Sequence, residues 1–192
     1  MPAEALKVIR TEIAKPICNI TGEIKNGQGI PEEWAEGTVL HIYKNKGGPS
    51  DTESYRPISR AQIIYKIRAK LIAKRLASIM HLITNQTQYV YKTKLSTPDA
   101  LVAIESYLAQ STPETHLLTG LTKAFGKVNR TILWTAVYKK ALPIGLIANI
   151  RRGNHNTKLQ PKCNGSYGTL AGNNVGICQG SEISASVFII SR

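Results

Sequence analysis

The chain has 192 residues and carries 25 lysines and arginines against 12 acidic residues, a net charge of +13. Its length allows one domain, or two small lobes, with enough chain to bury a core. A composition of 42% apolar and 19% charged residues excludes a disordered chain. The positive charge favours a polyanionic partner, with nucleic acid ahead of an anionic membrane surface. Three widely spaced cysteines indicate neither a disulfide framework nor a zinc site, and no apolar run is long enough to span a bilayer. We therefore expect an intracellular protein without a membrane span, with nucleus and cytoplasm both open.

The first third of the chain is predicted to contain helix, turn and hairpin in that order. Residues 4–25 have helical apolar spacing, with a break near Pro16 because proline disrupts a helix interior. A glycine- and proline-containing turn follows at 27–31. Residues 38–43 are β-branched and aromatic and predict a strand, and residues 44–54 predict the basic loop of a hairpin.

The longest predicted helix covers residues 59–80. Seven aliphatic residues are expected along its buried side: Ile63, Ile64, Ile67, Leu71, Ile72, Leu76 and Ile79. Lys66, Lys70 and Lys74 recur at four-residue intervals on another side. Residues 37–75 hold nine lysines and arginines against two acidic residues, more than solubility requires, so we expect this region to contact phosphates.

The second half is predicted to alternate helices with short strands. Residues 96–110 begin with Ser-Thr-Pro-Asp, a helix-start pattern, and are followed by a short strand at 116–121. Helices are expected at 131–141 and 143–152, and hairpins within 157–177. The apolar run 184–190 lies close to the end of the chain, so we expect a truncated domain with an exposed apolar edge and marginal stability.

Four segments, in order, resemble the reverse transcriptase domain of non-long-terminal-repeat (LINE-type) retrotransposons. They are Ile30-Pro-Glu-Glu-Trp34 leading into Val39-Leu-His-Ile-Tyr-Lys44-Asn-Lys46-Gly47; Tyr55-Arg56-Pro57-Ile58-Ser59; Leu121-Thr-Lys-Ala124-Phe125 with Val128-Asn129-Arg130; and Gln179-Gly180-Ser181-Glu182-Ile183-Ser184. The resemblance covers residues 16–190. A collinear set of four is far more specific than any one segment alone.

The resemblance implies an α+β fold, the fingers and partial palm of a right-hand polymerase, with a small antiparallel sheet flanked by helices. Residues 1–36 would be a helical lead-in, 37–112 a fingers-like region, and 113–192 a partial palm cut before the second catalytic strand. The central palm strand would hold residues 117–122. Family members are RNA-directed DNA polymerases that use an RNA template, a DNA primer and Mg²⁺ ions held by aspartates.

The resemblance also assigns candidate binding residues. Lys44 and Arg56 would hold the triphosphate of the incoming nucleotide, Phe125 would exclude a ribose 2′-hydroxyl, and Gln179 with Gly180 would lie against the nascent base pair. The general nucleic-acid-binding residues would be Lys46, Lys66, Lys70, Lys74 and Arg75. Structural alternatives remain open: surface cations for the basic residues, core packing for Phe125, and a helix-start turn for Gln179-Gly180.

Departures from the family pattern concern the catalytic carboxylates. Gly120 stands where the family has a metal-binding aspartate, and the paired aspartates of the next palm strand would follow the last residue of the chain. Glu182 replaces a proline and Arg60 replaces an apolar residue. We therefore expect an inactive polymerase domain without bound Mg²⁺. Two alternatives remain: a non-catalytic basic RNA- or DNA-binding module and, less favoured, a membrane-surface or partner-binding protein that uses the 59–80 helix.

Overall fold

A computed structural model describes residue 4 and residues 8–92, 94–110, 119–121, 123–140, 142–155 and 157–191. The described residues form eight α-helices, five strands and a short 3₁₀ turn at Thr52–Ser54. The elements in chain order are α1 (Arg10–Lys25), α2 (Glu32–Ala35), β1 (Glu36–Tyr43), β2 (Tyr55–Ala61), α3 (Ile63–Ala77), α4 (Met80–Ile83), α5 (Thr97–Gln110), α6 (Arg130–Tyr138), α7 (Ile144–Asn154), β3 (Lys158–Cys163), β4 (Ser166–Tyr167), β5 (Ala171–Gly172) and α8 (Glu182–Ile190). None of the helices in these ranges combines the length and apolar character that crossing a bilayer requires.

The sheet is mixed, with β1 and β3 at its centre. β1 pairs with β2 as an antiparallel hairpin and with β3 in parallel, and β4 and β5 pair antiparallel with the other edge of β3. The α+β class is therefore confirmed, whereas the expected all-antiparallel sheet is wrong. β3 returns to β1 only after a long helical crossover, a connection that is typical of parallel pairs.

Two predictions near the start of the chain need correction. α1 runs unbroken through Pro16. A proline inside a helix costs about 3 kcal/mol, and the burial of Ile17 and Ile24 on the same helix offsets this cost. The helix predicted from residue 59 begins at Ile63, because residues 59–61 remain paired with β1 as the end of β2.

Predictions in the second half hold in part. The three expected helices are confirmed as α5, α6 and α7, and their ends agree with the predicted ends to within two residues, except that α6 ends three residues early. The expected hairpin structure within 157–177 is confirmed by β3, β4 and β5. The expected strand at 116–121, together with the palm strand at 117–122, falls largely outside the described residues. Residues 119–121 are described and belong to neither a helix nor a strand.

The core is formed by α3, α6, α7 and α8. Its fully buried members include Leu76, Val137, Ile147 and Ile183. The apolar side predicted for α3 is partly wrong: Leu71 is 49% exposed, while Tyr65, Ala69, Ile72 and Leu76 face the core.

The apolar run near the end of the chain is buried. Residues 182–190 form α8, which packs against α3 and α6, and Val187 and Ile190 are each 1% exposed. The expected exposed apolar edge is therefore wrong. Helical packing, rather than pairing with a further strand, removes these side chains from water.

A buried cation joins α3 to α7. The Nη2 atom of Arg68 donates a hydrogen bond to the carbonyl oxygen of Asn149 at 2.9 Å, and the Tyr65 hydroxyl donates to the Gly153 carbonyl at 2.8 Å. The C-terminal end of a helix carries partial negative charge, which favours a cation there. Burial lowers the pKa of Arg68, with the nearby Tyr65 acting against that shift.

Candidate nucleic-acid interface

The β1–β2 hairpin carries both residues that the resemblance assigns to triphosphate binding. Arg56 is exposed and lies opposite Ile42 in the register. Lys44 follows β1, where its backbone N–H donates to Ser54 at 2.8 Å and its ammonium donates to the Glu53 carbonyl at 2.6 Å. Arg56 is thus presented to solvent, whereas the charged end of Lys44 is held against the hairpin loop.

One face of the sheet groups three cations with an aromatic ring. Residues opposite each other in a sheet share a face, and the register places Arg56 opposite Ile42, Arg60 opposite Thr38, and Lys162 opposite both Leu40 and Tyr167. We call Arg56, Arg60, Lys162 and Tyr167 the open sheet face.

The open sheet face borders a groove and contains a preformed cation–aromatic contact. Arg60, Lys162 and Tyr167 line a groove of about 610 Å³. The Lys162 ammonium lies 4.8 Å from the Tyr167 ring centroid and donates to the Tyr167 hydroxyl at 3.2 Å. The ring is 56% exposed. An exposed aromatic among cations can stack a base while the cations contact phosphates.

Three loops that are distant in sequence meet at the hairpin, and we call Glu53 of the hairpin loop together with residues 123–128 and 176–180 the loop cluster. The Ile177 N–H donates to the Phe125 carbonyl at 2.9 Å, and the Gly176 N–H donates to the Val128 carbonyl at 2.9 Å. Lys123 forms an ion pair with Glu53 of the hairpin loop. The family-like segment at 121–130 is therefore in direct contact with residues that adjoin two other segments in sequence: Glu53 before Tyr55, and Gly176 and Ile177 before Gln179.

Gln179 and Gly180 lie against the free edge of β2. The Gln179 carbonyl accepts the Ser59 N–H at 2.7 Å. Gly180 has φ +112°, and a Cβ atom at this position would lie 2.7 Å from the Ser59 carbonyl oxygen. The contact with β2 by itself requires glycine at position 180, because a side chain would collide with the strand backbone.

Phe125 belongs to the edge of the core. Its ring stacks on Phe188 of α8 with centroids 5.0 Å apart and an interplanar angle of 26°, and it is half-buried. This contact agrees with the packing alternative for Phe125. A role in nucleotide selection stays a prediction.

The remaining basic candidates lie elsewhere. Lys46 is exposed in the hairpin loop, and Lys66, Lys70, Lys74 and Arg75 are exposed on α3. Lys66 lines a cavity together with Gly37 and Ala61, which belong to the sheet face opposite the open one. Among the described residues that line the groove of the open sheet face, none is a cation of α3.

Gly120 is exposed, and a Cβ atom added there would meet nothing within 4 Å. Among the described residues, no three histidine, cysteine or acidic side chains come together as a metal site. Within the loop cluster, burial raises the pKa of the Cys178 thiol, while the nearby Ser59 and Arg130 act against the shift. The thiol is neutral near pH 7 and adds no negative charge.

No family model matches the chain, and no curated protein matches it. The residues themselves therefore carry the functional argument.

Sequence reasoning missed most of the open sheet face. Arg60 was noted only as a departure from the family pattern, and Lys162 and Tyr167 were not singled out. Lys158, Gln160 and Lys162 alternate with Leu159 and Pro161, a period of two that indicates one polar strand face. That signal could have identified Lys162, although its position beside β1 depends on the crossover.

Proposed function

We propose that the chain is a non-catalytic nucleic-acid-binding module of the reverse-transcriptase type, corresponding to fingers and part of a palm. It would bind single-stranded RNA or DNA on the open sheet face. The observation that carries the proposal is that Arg56, Arg60 and Lys162 share one sheet face with the exposed Tyr167, whose ring lies beside the Lys162 ammonium. The hydrogen bond between Ser59 and Gln179 supports the family relationship, because it joins two of the segments that resemble that family.

Charge and shape favour a single strand. The three paired strands β1, β2 and β3 contain one acidic residue, Glu36, at the far end from the hairpin loop, and the groove has one acidic lining residue, Glu33, against Arg60 and Lys162. Arginines contact phosphate oxygens with two donors at once, and a single strand leaves its bases free to stack on tyrosine. The substitution at Gly120 removes a carboxylate that metal-dependent nucleotidyl transfer needs, so the proposal is limited to binding.

The test is the salt dependence of binding to a fluorescent single-stranded RNA. We expect the affinity to fall with added salt for the wild-type protein. For the triple variant Arg56→Gln, Arg60→Gln, Lys162→Gln, we expect the slope of log affinity against log salt to flatten by about two, since each lost phosphate contact contributes about 0.7 for single strands. Tyr167→Ala should weaken binding by roughly 1 to 3 kcal/mol and leave the slope unchanged.

The matched control removes three exposed charges from α1: Arg10→Gln, Lys15→Gln and Lys25→Gln. It has the same net charge as the triple variant and should retain the wild-type slope. If both triple variants lost the same affinity and the same salt slope, net charge alone would explain the effect, and the assignment of binding to the open sheet face would be wrong. Template-dependent primer extension by the chain in the presence of Mg²⁺ would contradict the non-catalytic part of the proposal.

A further inference from the structure

A second basic cavity lies between α6 and the end of α7. It has a volume of about 350 Å³, within the size range of small-molecule sites. It shares no residue with the open sheet face, and it adjoins the loop cluster at Gly176, whose carbonyl accepts a hydrogen bond from Arg130. Its principal lining residues are Arg130, Trp134, Tyr138, Arg151, His155 and Asn174.

The charge of this cavity is unbalanced. It is lined by two arginines and a histidine, and no acidic residue is among its lining. The sequence from residue 115 to residue 181 contains nine lysines and arginines and no acidic residue. Neither Arg130 nor Arg151 forms an ion pair with a described residue. A cavity with cations on several walls and no internal counter-charge favours an anion.

The two arginines contribute in different ways. Arg130 is half-buried, and its Nε atom donates to the Gly176 carbonyl at 2.7 Å, which fixes the guanidinium in place. Arg151 is exposed at the rim. Its neighbour Arg152 is committed elsewhere, because its Nη1 atom donates to the Ile24 carbonyl at 3.0 Å and to the Lys25 carbonyl at 3.2 Å at the end of α1.

The neighbouring walls suit the rest of a nucleotide. Tyr138 is 42% exposed and offers part of its ring, whereas Trp134 is 8% exposed and closes the base of the cavity. Thr131, Thr135 and Asn174 supply hydrogen-bonding groups of both kinds. Arginines from two walls and the exposed part of the Tyr138 ring are the groups that a phosphate with an attached sugar and base would contact.

We propose that the cavity between α6 and α7 binds the phosphate group of a nucleotide, with Arg130 and Arg151 as its ligands and Tyr138 against the sugar or base. The phosphate could belong to a free mononucleotide or to the 5′ end of a nucleic-acid strand. This site goes beyond the proposed function, because it uses none of the residues of the open sheet face.

The experiment is calorimetric titration at constant salt of the open-sheet-face triple variant, in which the other proposed strand-binding surface is weakened. The probes are adenosine 5′-monophosphate, adenosine, and a short oligonucleotide with or without a 5′-phosphate. We expect the monophosphate, the phosphorylated oligonucleotide or both to bind, and their unphosphorylated counterparts to bind at least about tenfold more weakly. Binding of the monophosphate assigns a free nucleotide as the source, and binding of the phosphorylated oligonucleotide alone assigns a strand end.

Arg151→Gln is the test variant, because this side chain is exposed and its loss leaves the packing of α7 intact. We expect it to weaken binding of the phosphorylated probe about tenfold or more. Lys139→Gln removes the same charge beside Tyr138, outside the cavity lining, and should change the affinity less than about twofold. The triple variant of the open sheet face should bind the monophosphate like the wild type, which separates this proposal from the proposed function.

Three results would overturn the proposal. They are equal affinity for adenosine and its monophosphate, equal effects of Arg151→Gln and Lys139→Gln, and absence of heat with every phosphorylated probe. Circular dichroism of each variant confirms that the compared proteins are folded.

Discussion

The hydroxyl of Tyr65 makes stability depend on pH in the alkaline range. Burial raises the pKa of Tyr65 to about 12 from an ordinary value of 10.0, with the nearby Arg68 opposing that shift. The native protein therefore keeps a proton that the unfolded chain releases in this interval. The resulting stability is fully present below pH 10 and is lost as the pH rises through 12.

We expect the Tyr65 hydroxyl to reduce the free energy of unfolding by roughly 1.4 kcal/mol per pH unit in this interval. Urea unfolding at pH 9, 10 and 11 should show a steeper decline for the wild type than for Tyr65→Phe. Other tyrosines and the lysines titrate in both proteins, so the difference between the two slopes isolates Tyr65. Parallel declines would contradict the assignment.

Arg68 shows why a residue can be predicted to lie in a helix but not in the core. α3 has apolar side chains on several sides, so its periodicity does not determine which side is buried. The groups that accept its hydrogen bonds belong to Asn149, 81 residues later. Gly180 is similar: the resemblance predicts that it lies against a nascent base pair, and its contact with the backbone of β2 at Ser59 could not be read from the sequence, because the two positions are far apart in the chain.

α5 was predicted well because its signals are local. The side chain of Asp99 accepts hydrogen bonds from the Ser96 N–H at 2.7 Å and from the Ser96 hydroxyl at 2.5 Å, and these bonds lower the pKa of Asp99. No residue of α5 is buried, and Leu101 and Ile104 are 54% and 49% exposed. The sheet was harder to predict, because the parallel pairing of β1 with β3 depends on contacts across the whole middle of the chain.

This contrast between elements leads to a prediction for paired leucine variants. Leu101→Gln on α5 should change the free energy of unfolding by less than about 0.5 kcal/mol, since its side chain is already in water. Leu76→Ala on α3 should cost about 2 to 5 kcal/mol, since Leu76 is fully buried and its truncation leaves a cavity. Urea titrations of both variants measure the difference. A loss at Leu101 as large as that at Leu76 would mean that α5 packs in solution.

At the scale of the whole molecule, a single core connects all three sequence regions. Trp34 from the helical lead-in packs against the same cluster that contains Leu76 of α3 and Trp134 of α6. Elements that share one close-packed core lose their contacts together. Residues from the predicted regions 1–36, 37–112 and 113–192 therefore pack in one core.

We expect one cooperative unfolding transition. Trp34→Phe and Trp134→Phe each leave one tryptophan. The fluorescence of the first variant then reports on the core around Trp134, and that of the second reports on the core around Trp34. Each variant should show the same urea midpoint by fluorescence and by far-ultraviolet circular dichroism. A midpoint that differs between the two probes of one variant would indicate separately unfolding units.

The parallel pairing of β1 with β3 has a consequence for synthesis of the chain on the ribosome. β1 acquires its hairpin partner β2 almost at once, but its second edge waits for β3, which emerges more than a hundred residues later. At about 5 to 20 residues per second, this edge stays unpaired for roughly 5 to 25 s. An unpaired strand edge is a template for intermolecular pairing. The nascent chain is therefore prone to aggregate between the synthesis of β1 and that of β3, and the completed protein is not, because β3 then covers this edge.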